Sequence, residues 1–171
     1  NENLQGKTLL ELGTGSGVIS ISIAQESRDC IIFATDISIK SILVAKQNAE
    51  KFCCENIIFL NHDWNNEWLF PQVDYLISNP PYVDKEKTSE KEEGIWYEPE
   101  KALFSNDKGL SDLQLILSKG KNYLNENGKV YLEHAPDQYE ELNKFALKNG
   151  YLNFSNLNDL NGDKRVSIYQ C

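Results

Sequence analysis

Asn79-Pro80-Pro81-Tyr82 ends an apolar run, Val73 to Ser78, well downstream of the glycine-rich turn Gly13-Thr14-Gly15-Ser16-Gly17. The run reads as a buried strand, and the two prolines must stop it, since each lacks an N–H and fixes its φ. The chain then leaves the sheet as a rigid turn, with the Asn79 side chain and the Pro80 carbonyl at its lip. An amide oxygen beside a backbone carbonyl offers two acceptors to one planar –NH2 group. Tyr82 adds an aromatic wall against which a flat group can lie. Such a turn can hold an amide or amino nitrogen still.

The glycine turn narrows the ligand. Gly13-x-Gly15-x-Gly17 is not the dinucleotide fingerprint, which needs glycine at the sixth position, where Val18 stands. A tighter turn preceded by Glu11 suits a ligand laid across it with no pyrophosphate to cradle. Asp36, at the tip of the second strand, can accept hydrogen bonds from a ribose diol. Asp63 can accept from an exocyclic adenine amine, and Trp64 offers the ring a face. All these groups fall at carboxyl ends of strands, where open α/β sheets bind ligands. One adenosine carrying an amino-acid tail would touch every one of them, which points to S-adenosylmethionine.

The elements that must position these residues alternate along the chain. Thr8 to Leu12 is a short apolar strand, and Val18 to Ala24 follows the glycine turn. β-Branched residues favour a strand there, but a glycine turn after a strand in an α/β pattern opens a helix. Ile31 to Thr35 predicts a second strand ending in Asp36. Ser38 then caps a helix in which Ile42, Ala45, Ala49 and Phe52 recur at helical spacing. Ile57 to Leu60 and Val73 to Ser78 predict the third and fourth strands. A helix is expected from Leu110 to Leu124, a fifth strand over Val130 to Glu133, and a helix through Leu142, Phe145 and Ala146, stopped by Asn149-Gly150. Tyr151 to Phe154 and Val166 to Tyr169 should close the chain as an antiparallel pair. Val83 to Gly109 is too long for an idle connection. Its charged half, Asp84 to Glu93, reads as a lid or as a solvated face, and Trp96 to Phe104 as a segment that packs down.

At 171 residues, 40% hydrophobic and 25% charged, the chain reads as one globular domain spanning 1–171. No apolar run is long enough for a membrane helix. A net charge of −9 argues against affinity built on phosphate contacts. Cys30, Cys53, Cys54 and Cys171 fit no zinc spacing and suit reduced thiols; His62 and His134 read as structural or incidental. With no methionine, even at position 1, the chain reads as a fragment or a processed form.

The chain resembles the PrmC/HemK family of protein-(glutamine-N5) methyltransferases over essentially its whole length. The likeness is carried by Glu11 to Gly17, Asp36, Asp63-Trp64, Asn79 to Tyr82, and Tyr97-Glu98-Pro99 with Ala102-Leu103. It continues through Gly109-Leu110, Gly128 to Glu133 with Gln138, and Asp159 to Arg165. The tetrapeptide alone is shared with adenine-N6 DNA and guanine-N2 RNA methyltransferases. Glu98-Pro99 and Asp159-x-x-Gly162-x-x-Arg165 tilt the reading to PrmC.

The resemblance implies an α/β fold of the Rossmann-like class I S-adenosylmethionine-dependent methyltransferase type. Its sheet would be mostly parallel and seven-stranded, with an antiparallel C-terminal strand and helices on both faces. It implies methyl transfer from S-adenosylmethionine, leaving S-adenosylhomocysteine, to the Gly-Gly-Gln glutamine of peptide chain release factors. Asn79, Pro80 and Tyr82 would be catalytic, with Pro81 and Glu98 also against the substrate. Glu11, Gly13, Thr14, Gly15, Ser16, Gly17, Asp36, Ile37, Asp63, Trp64 and Asn79 would hold the cofactor. No metal is implied, and a cytoplasmic monomer without nucleic acid or membrane is expected. Family members carry a helical N-terminal domain that helps grip the release factor, and it is expected to be missing from these residues.

Three rivals are weaker. A nucleic-acid methyltransferase acting on a flipped base would need a basic recognition segment. A nicotinamide oxidoreductase is opposed by Val18 and by the lack of a proton-donor couple. A non-catalytic binding module would not need the glycine turn, Asp36 and Asn79 intact.

Overall fold

The computed structural model describes residues 2–81, 83–84, 104–105 and 109–171. Tyr82, Glu98 and the stretch from Trp96 to Leu103 therefore lie outside the described residues. The strands are β1 (Thr8–Leu12), β2 (Ile31–Asp36), β3 (Ile57–Asn61), β4 (Val73–Ser78), β5 (Val83–Asp84), β6 (Phe104–Ser105), β7 (Leu124–Glu133), β8 (Asn153–Asn158) and β9 (Lys164–Gln170). The helices are α1 (Val18–Glu26), α2 (Ile39–Lys51), α3 (Ser111–Gly120) and α4 (Tyr139–Lys148). Seven strands form one sheet in the order β3-β2-β1-β4-β7-β9-β8, and β5 pairs with β6 apart from it. The pairs β1–β2, β1–β4 and β2–β3 are parallel, and β8–β9 is antiparallel. The expected α/β fold with its antiparallel C-terminal strand is the fold observed.

Two compact units divide the chain, Asn1–Ser78 with Asn122–Lys129, and Asn79–Lys121 with Val130–Cys171. In the first, the apolar run of β1 lies between two parallel neighbours, with Leu9, Leu10 and Leu12 fully buried. A strand covered on both faces has no polar side to alternate, so its sequence is nearly continuous in apolar residues. Parallel strands cannot be joined by a hairpin. The segment between β1 and β2 must cross over, and Val18–Glu26 is helical despite its β-branched residues. In α2 the Ser38 hydroxyl accepts the Ser41 N–H at 3.2 Å, while Ile42, Ala45 and Ala49 are buried. Phe52 departs from that stripe. It sits one residue past the helix, 53% exposed, where left-handed Cys53 turns the chain away.

In the second unit, Leu113, Ile116 and Leu117 bury one side of α3, as their spacing predicts. The helix ends at Gly120 and does not reach Leu124, which opens β7 after a 3-10 turn, Lys121–Tyr123. Lys121 donates to the carbonyls of Asn149 and Gly150, capping α4 from outside, a tertiary bond that helical periodicity cannot report. Gly150, at φ +82°, supplies the left-handed stop of α4, and Asn149 stays at −91°. Tyr151 precedes β8 and turns inward, its hydroxyl donating to the Leu117 carbonyl at 2.9 Å. His134 is fully buried, its Nδ1 2.7 Å from the Ala135 carbonyl and its Nε2 2.8 Å from Ser167 Oγ. Those partners set the tautomer: Nδ1–H donates and Nε2 accepts. Burial holds its pKa below the ordinary histidine value, so His134 is a neutral core group.

None of the described helices is long and apolar enough to cross a membrane, and no metal-ligand cluster occurs among the described residues. All four cysteines carry free thiols.

One acid ties the start of β1 to β4. Asp74 accepts the Thr8 N–H at 2.9 Å and the Lys7 ammonium at 3.0 Å, with its side chain 18% exposed. Burial alone would raise its pKa, but these donors outweigh burial and hold it below the usual value. A depressed folded pKa contributes stability that is complete above the unfolded value and lost as pH falls through the folded one. Asp74→Ala is therefore expected to cost about 1–3 kcal/mol at neutral pH in urea unfolding. The gap from the parent chain should close as pH drops below about 4; a gap unchanged by pH would show that the carboxylate is not its source.

Candidate active site

The site residues of the first unit gather where β1, β2 and β3 end. Register sets Leu12 beside Thr35 on one side and beside Ser78 on the other. The glycine turn leaves β1 at that level. Gly13, Gly15 and Gly17 have φ of +75°, +56° and +85°, in the left-handed region that favours glycine. Thr14 N–H donates to Thr35 O, and Gly17 N–H donates to Thr14 O, each at 2.8 Å.

The three glycines do different things. A methyl group on Gly15 would meet nothing within 4 Å, so its face is open to a ligand. One on Gly13 would come within 3.2 Å of the Trp64 ring, which places that indole over the turn. One on Gly17 would come within 3.1 Å of both Ala45 Cβ and Ile21 Cδ1. Gly17 thus serves the packing of α1 against α2.

Asp36 braces the same turn. Its Oδ2 accepts the Gly15 N–H at 2.9 Å, and its Oδ1 accepts the Ser38 N–H at 2.8 Å. Each carboxylate oxygen has a second lone pair, so both can also accept a hydroxyl. Ile37, 54% exposed, follows directly. Asp63 Oδ1 accepts both N–H groups of Asn65, at 2.9 Å from the backbone and 2.8 Å from the side chain. An open glycine face, a carboxylate with spare lone pairs, an exposed aliphatic side chain and an indole together fit an adenosine with an amino-acid tail. Ser16 is exposed, and its carbonyl accepts from Asn48 Nδ2.

Glu11 and Thr14 are set differently from the rest. Glu11 is 2% exposed and Thr14 3% exposed. Glu11 Oε2 accepts the Thr14 hydroxyl at 2.7 Å and the Ser20 hydroxyl as well. Burial, only partly offset by these bonds, holds the Glu11 pKa above the ordinary carboxylate value. Two partners were missed in the sequence. Ser20 hides in a run of alternating serine and isoleucine, and Asn61 donates to the carbonyls of Asp36 and Ile37 at 2.8 Å each. The position of Asn61, two residues before Asp63, was the available signal.

In the second unit, Asn79 is exposed while Pro80 and Pro81 are buried. The tetrapeptide begins one peptide bond beyond Ser78, whose hydroxyl donates to Leu12 O at 2.8 Å. The β8–β9 turn is braced by Asp159, which accepts from Asn161 N, Asp163 N and Arg165 Nε.

A family model for the methyltransferase small domain matches residues 1–106. The chain belongs to the methyltransferase small domain family. It is 38% identical over 166 residues to a bifunctional methyltransferase of Rickettsia bellii, covering 96% of this chain and 30% of that protein. It is 31% identical over 160 residues to the release factor glutamine methyltransferase of Escherichia coli, covering 94% and 58% respectively. These relatives support the likeness to the PrmC/HemK family; the chain spans less than two thirds of either. Among solved structures, magnesium protoporphyrin IX methyltransferase of Synechocystis with bound S-adenosylmethionine superposes with a TM-score of 0.66 at 18% identity. That match covers 98% of this chain and 71% of the other, and it shows a shared methyltransferase fold.

The glycine geometry separates strain from packing. Gly17→Ala is expected to lose about 2–4 kcal/mol in urea unfolding, from backbone strain and overpacking together. Gly15→Ala should lose only the strain, about 1–2 kcal/mol. Equal losses would remove the packing role given to Gly17.

Proposed function

We propose that this chain is the catalytic domain of an S-adenosylmethionine-dependent protein-glutamine N5-methyltransferase, acting on the Gly-Gly-Gln glutamine of peptide chain release factors. The observation that carries this reading is the glycine turn of the first unit, braced by Asp36 and with the Trp64 indole beside Gly13. The name of the Escherichia coli relative supplies the substrate class. All 171 residues act as one domain, a monomer working in the cytoplasm.

S-adenosylmethionine is the cofactor and, when bound, supplies a methyl group on a sulfonium, already strongly electrophilic. Asp36 accepts from the ribose hydroxyls, Asp63 from the adenine amine, and Trp64 and Ile37 flank the ring. Gly15 lets the backbone approach the amino-acid tail. A carboxamide nitrogen is a poor nucleophile because its lone pair is shared with the carbonyl, so positioning is what the protein must provide. The Asn79 side-chain oxygen and the Pro80 carbonyl accept the two amide hydrogens and aim the nitrogen. Holding that geometry supplies roughly 7–11 kcal/mol. The same acceptors stabilise positive charge as it develops on the nitrogen. Tyr82, by its residue type, would offer the amide an aromatic wall. The proton then leaves to water or to a neighbouring acceptor.

Incubation with S-adenosylmethionine and a release factor, followed by mass mapping of the Gly-Gly-Gln peptide, tests the reading. One added methyl on the glutamine is expected, with Asn79→Ala lowering the rate at least about 100-fold while S-adenosylhomocysteine still binds. Near-parental turnover by that variant would remove Asn79 from the chemistry. Asp36→Ala should weaken S-adenosylhomocysteine binding by calorimetry about tenfold or more, the scale of losing charge-assisted bonds. Methyl transfer to adenine-containing DNA, with none to the release factor, would move the chain to the nucleic-acid class.

A further inference from the structure

We propose that Ser20 is a positioning residue for the cofactor site, acting through Glu11 on the glycine turn. This rests on the S-adenosylmethionine reading above.

Ser20 lies in the first turn of α1 and is fully buried. The helix is entered through Gly17, which has no side chain to cap it. Its leading N–H groups therefore need an acceptor from elsewhere. Glu11, arriving from β1, reaches this turn of the helix: its Oε2 accepts the Ser20 hydroxyl. The Thr14 hydroxyl reaches the same oxygen, Oε2, at 2.7 Å. One buried oxygen thus ties together the end of β1, the middle of the glycine turn and the start of α1.

The turn follows Thr14. Its N–H is bonded to Thr35 O and its carbonyl to Gly17 N, and the next residue's N–H meets Asp36. The arrangement is tightest while Glu11 is a carboxylate. A protonated Glu11 would carry an O–H needing an acceptor of its own, and its Oε2 would accept from the two hydroxyls more weakly than a carboxylate oxygen does. Burial and the Asp36 carboxylate on β2 push Glu11 towards that neutral form, while Ser20 and Thr14 oppose it. Removing the Ser20 hydroxyl tips the balance, so the pH below which the turn loosens moves upward.

The test is calorimetric binding of S-adenosylhomocysteine to the whole chain between pH 5 and 8. Ser20→Ala should bind about tenfold more weakly near pH 6, with the acid limb of affinity about one pH unit higher, the shift tenfold in affinity corresponds to. Ser20→Thr, which keeps a hydroxyl, should return the limb towards the parent. Thr14→Val, which removes the other donor to the same oxygen, should move it the same way as Ser20→Ala. An acid limb in Ser20→Ala coincident with the parent overturns the inference, even if affinity falls uniformly, since uniform loss is what a merely structural serine gives. If the parent chain binds no S-adenosylhomocysteine at any pH, the cofactor reading fails first and the inference falls with it.

Discussion

The first unit turns on one buried carboxylate. Glu11 sits near the carboxyl end of a strand among the buried Leu9, Leu10 and Leu12, almost wholly removed from water. A charge so placed is expensive unless donors surround it. Thr14 and Ser20 meet that demand, and in doing so they join a strand, a turn and a helix that backbone bonding alone would leave loosely connected. The open face of Gly15 and the reach of Asp36 depend on this local rigidity. A flexible turn would spend ordering entropy each time a ligand bound.

Sheet register carries that local order outward. β1 lies between β2 and β4, so what happens at Leu12 is felt at Thr35 and Ser78 on either side. Thr35 Oγ1 donates to Glu11 O, and Ser78 Oγ donates to Leu12 O. Small hydroxylated residues at strand ends satisfy carbonyls that the ladder has finished with. Asn61 does similar work one strand further out, tying β3 to the turn after β2. The ends of four neighbouring segments are therefore pinned by side chains, where a ligand site most needs precision.

The second unit is organised around uncharged polar groups. His134 and Ser167 form a fully buried pair, and Tyr151 and Tyr169 direct their hydroxyls to Leu117 O and Asn143 Oδ1. Burial pushes Tyr151 far up and Tyr169 up to about 12, so both remain neutral donors at any ordinary pH. The hairpin β8–β9 is closed by Asp159, whose bonds to Asn161, Asp163 and Arg165 account locally for the Asp-x-x-Gly-x-x-Arg pattern.

What the sequence by itself determined was whatever local chemistry dictates. The strands through Ser78 follow from apolar runs and turn residues, the start of α2 from the Ser38 cap, and the end of α4 from left-handed Gly150. Gly13, Gly15, Asp36 and Trp64 were legible as a set because each has a side chain, or lacks one, for a reason that shows in its type. Together they pointed to the cofactor, and the resemblance to a known family then named the substrate class. Only tertiary structure decided that Glu11 faces inward to Ser20, that Gly17 makes room for Ala45, and that the chain leaves the helix before Leu124 to form β7. Those outcomes depend on partners nine to more than twenty residues away. A serine in an alternating run looks the same in sequence whether it meets water or a buried carboxylate; the fold supplies the carboxylate.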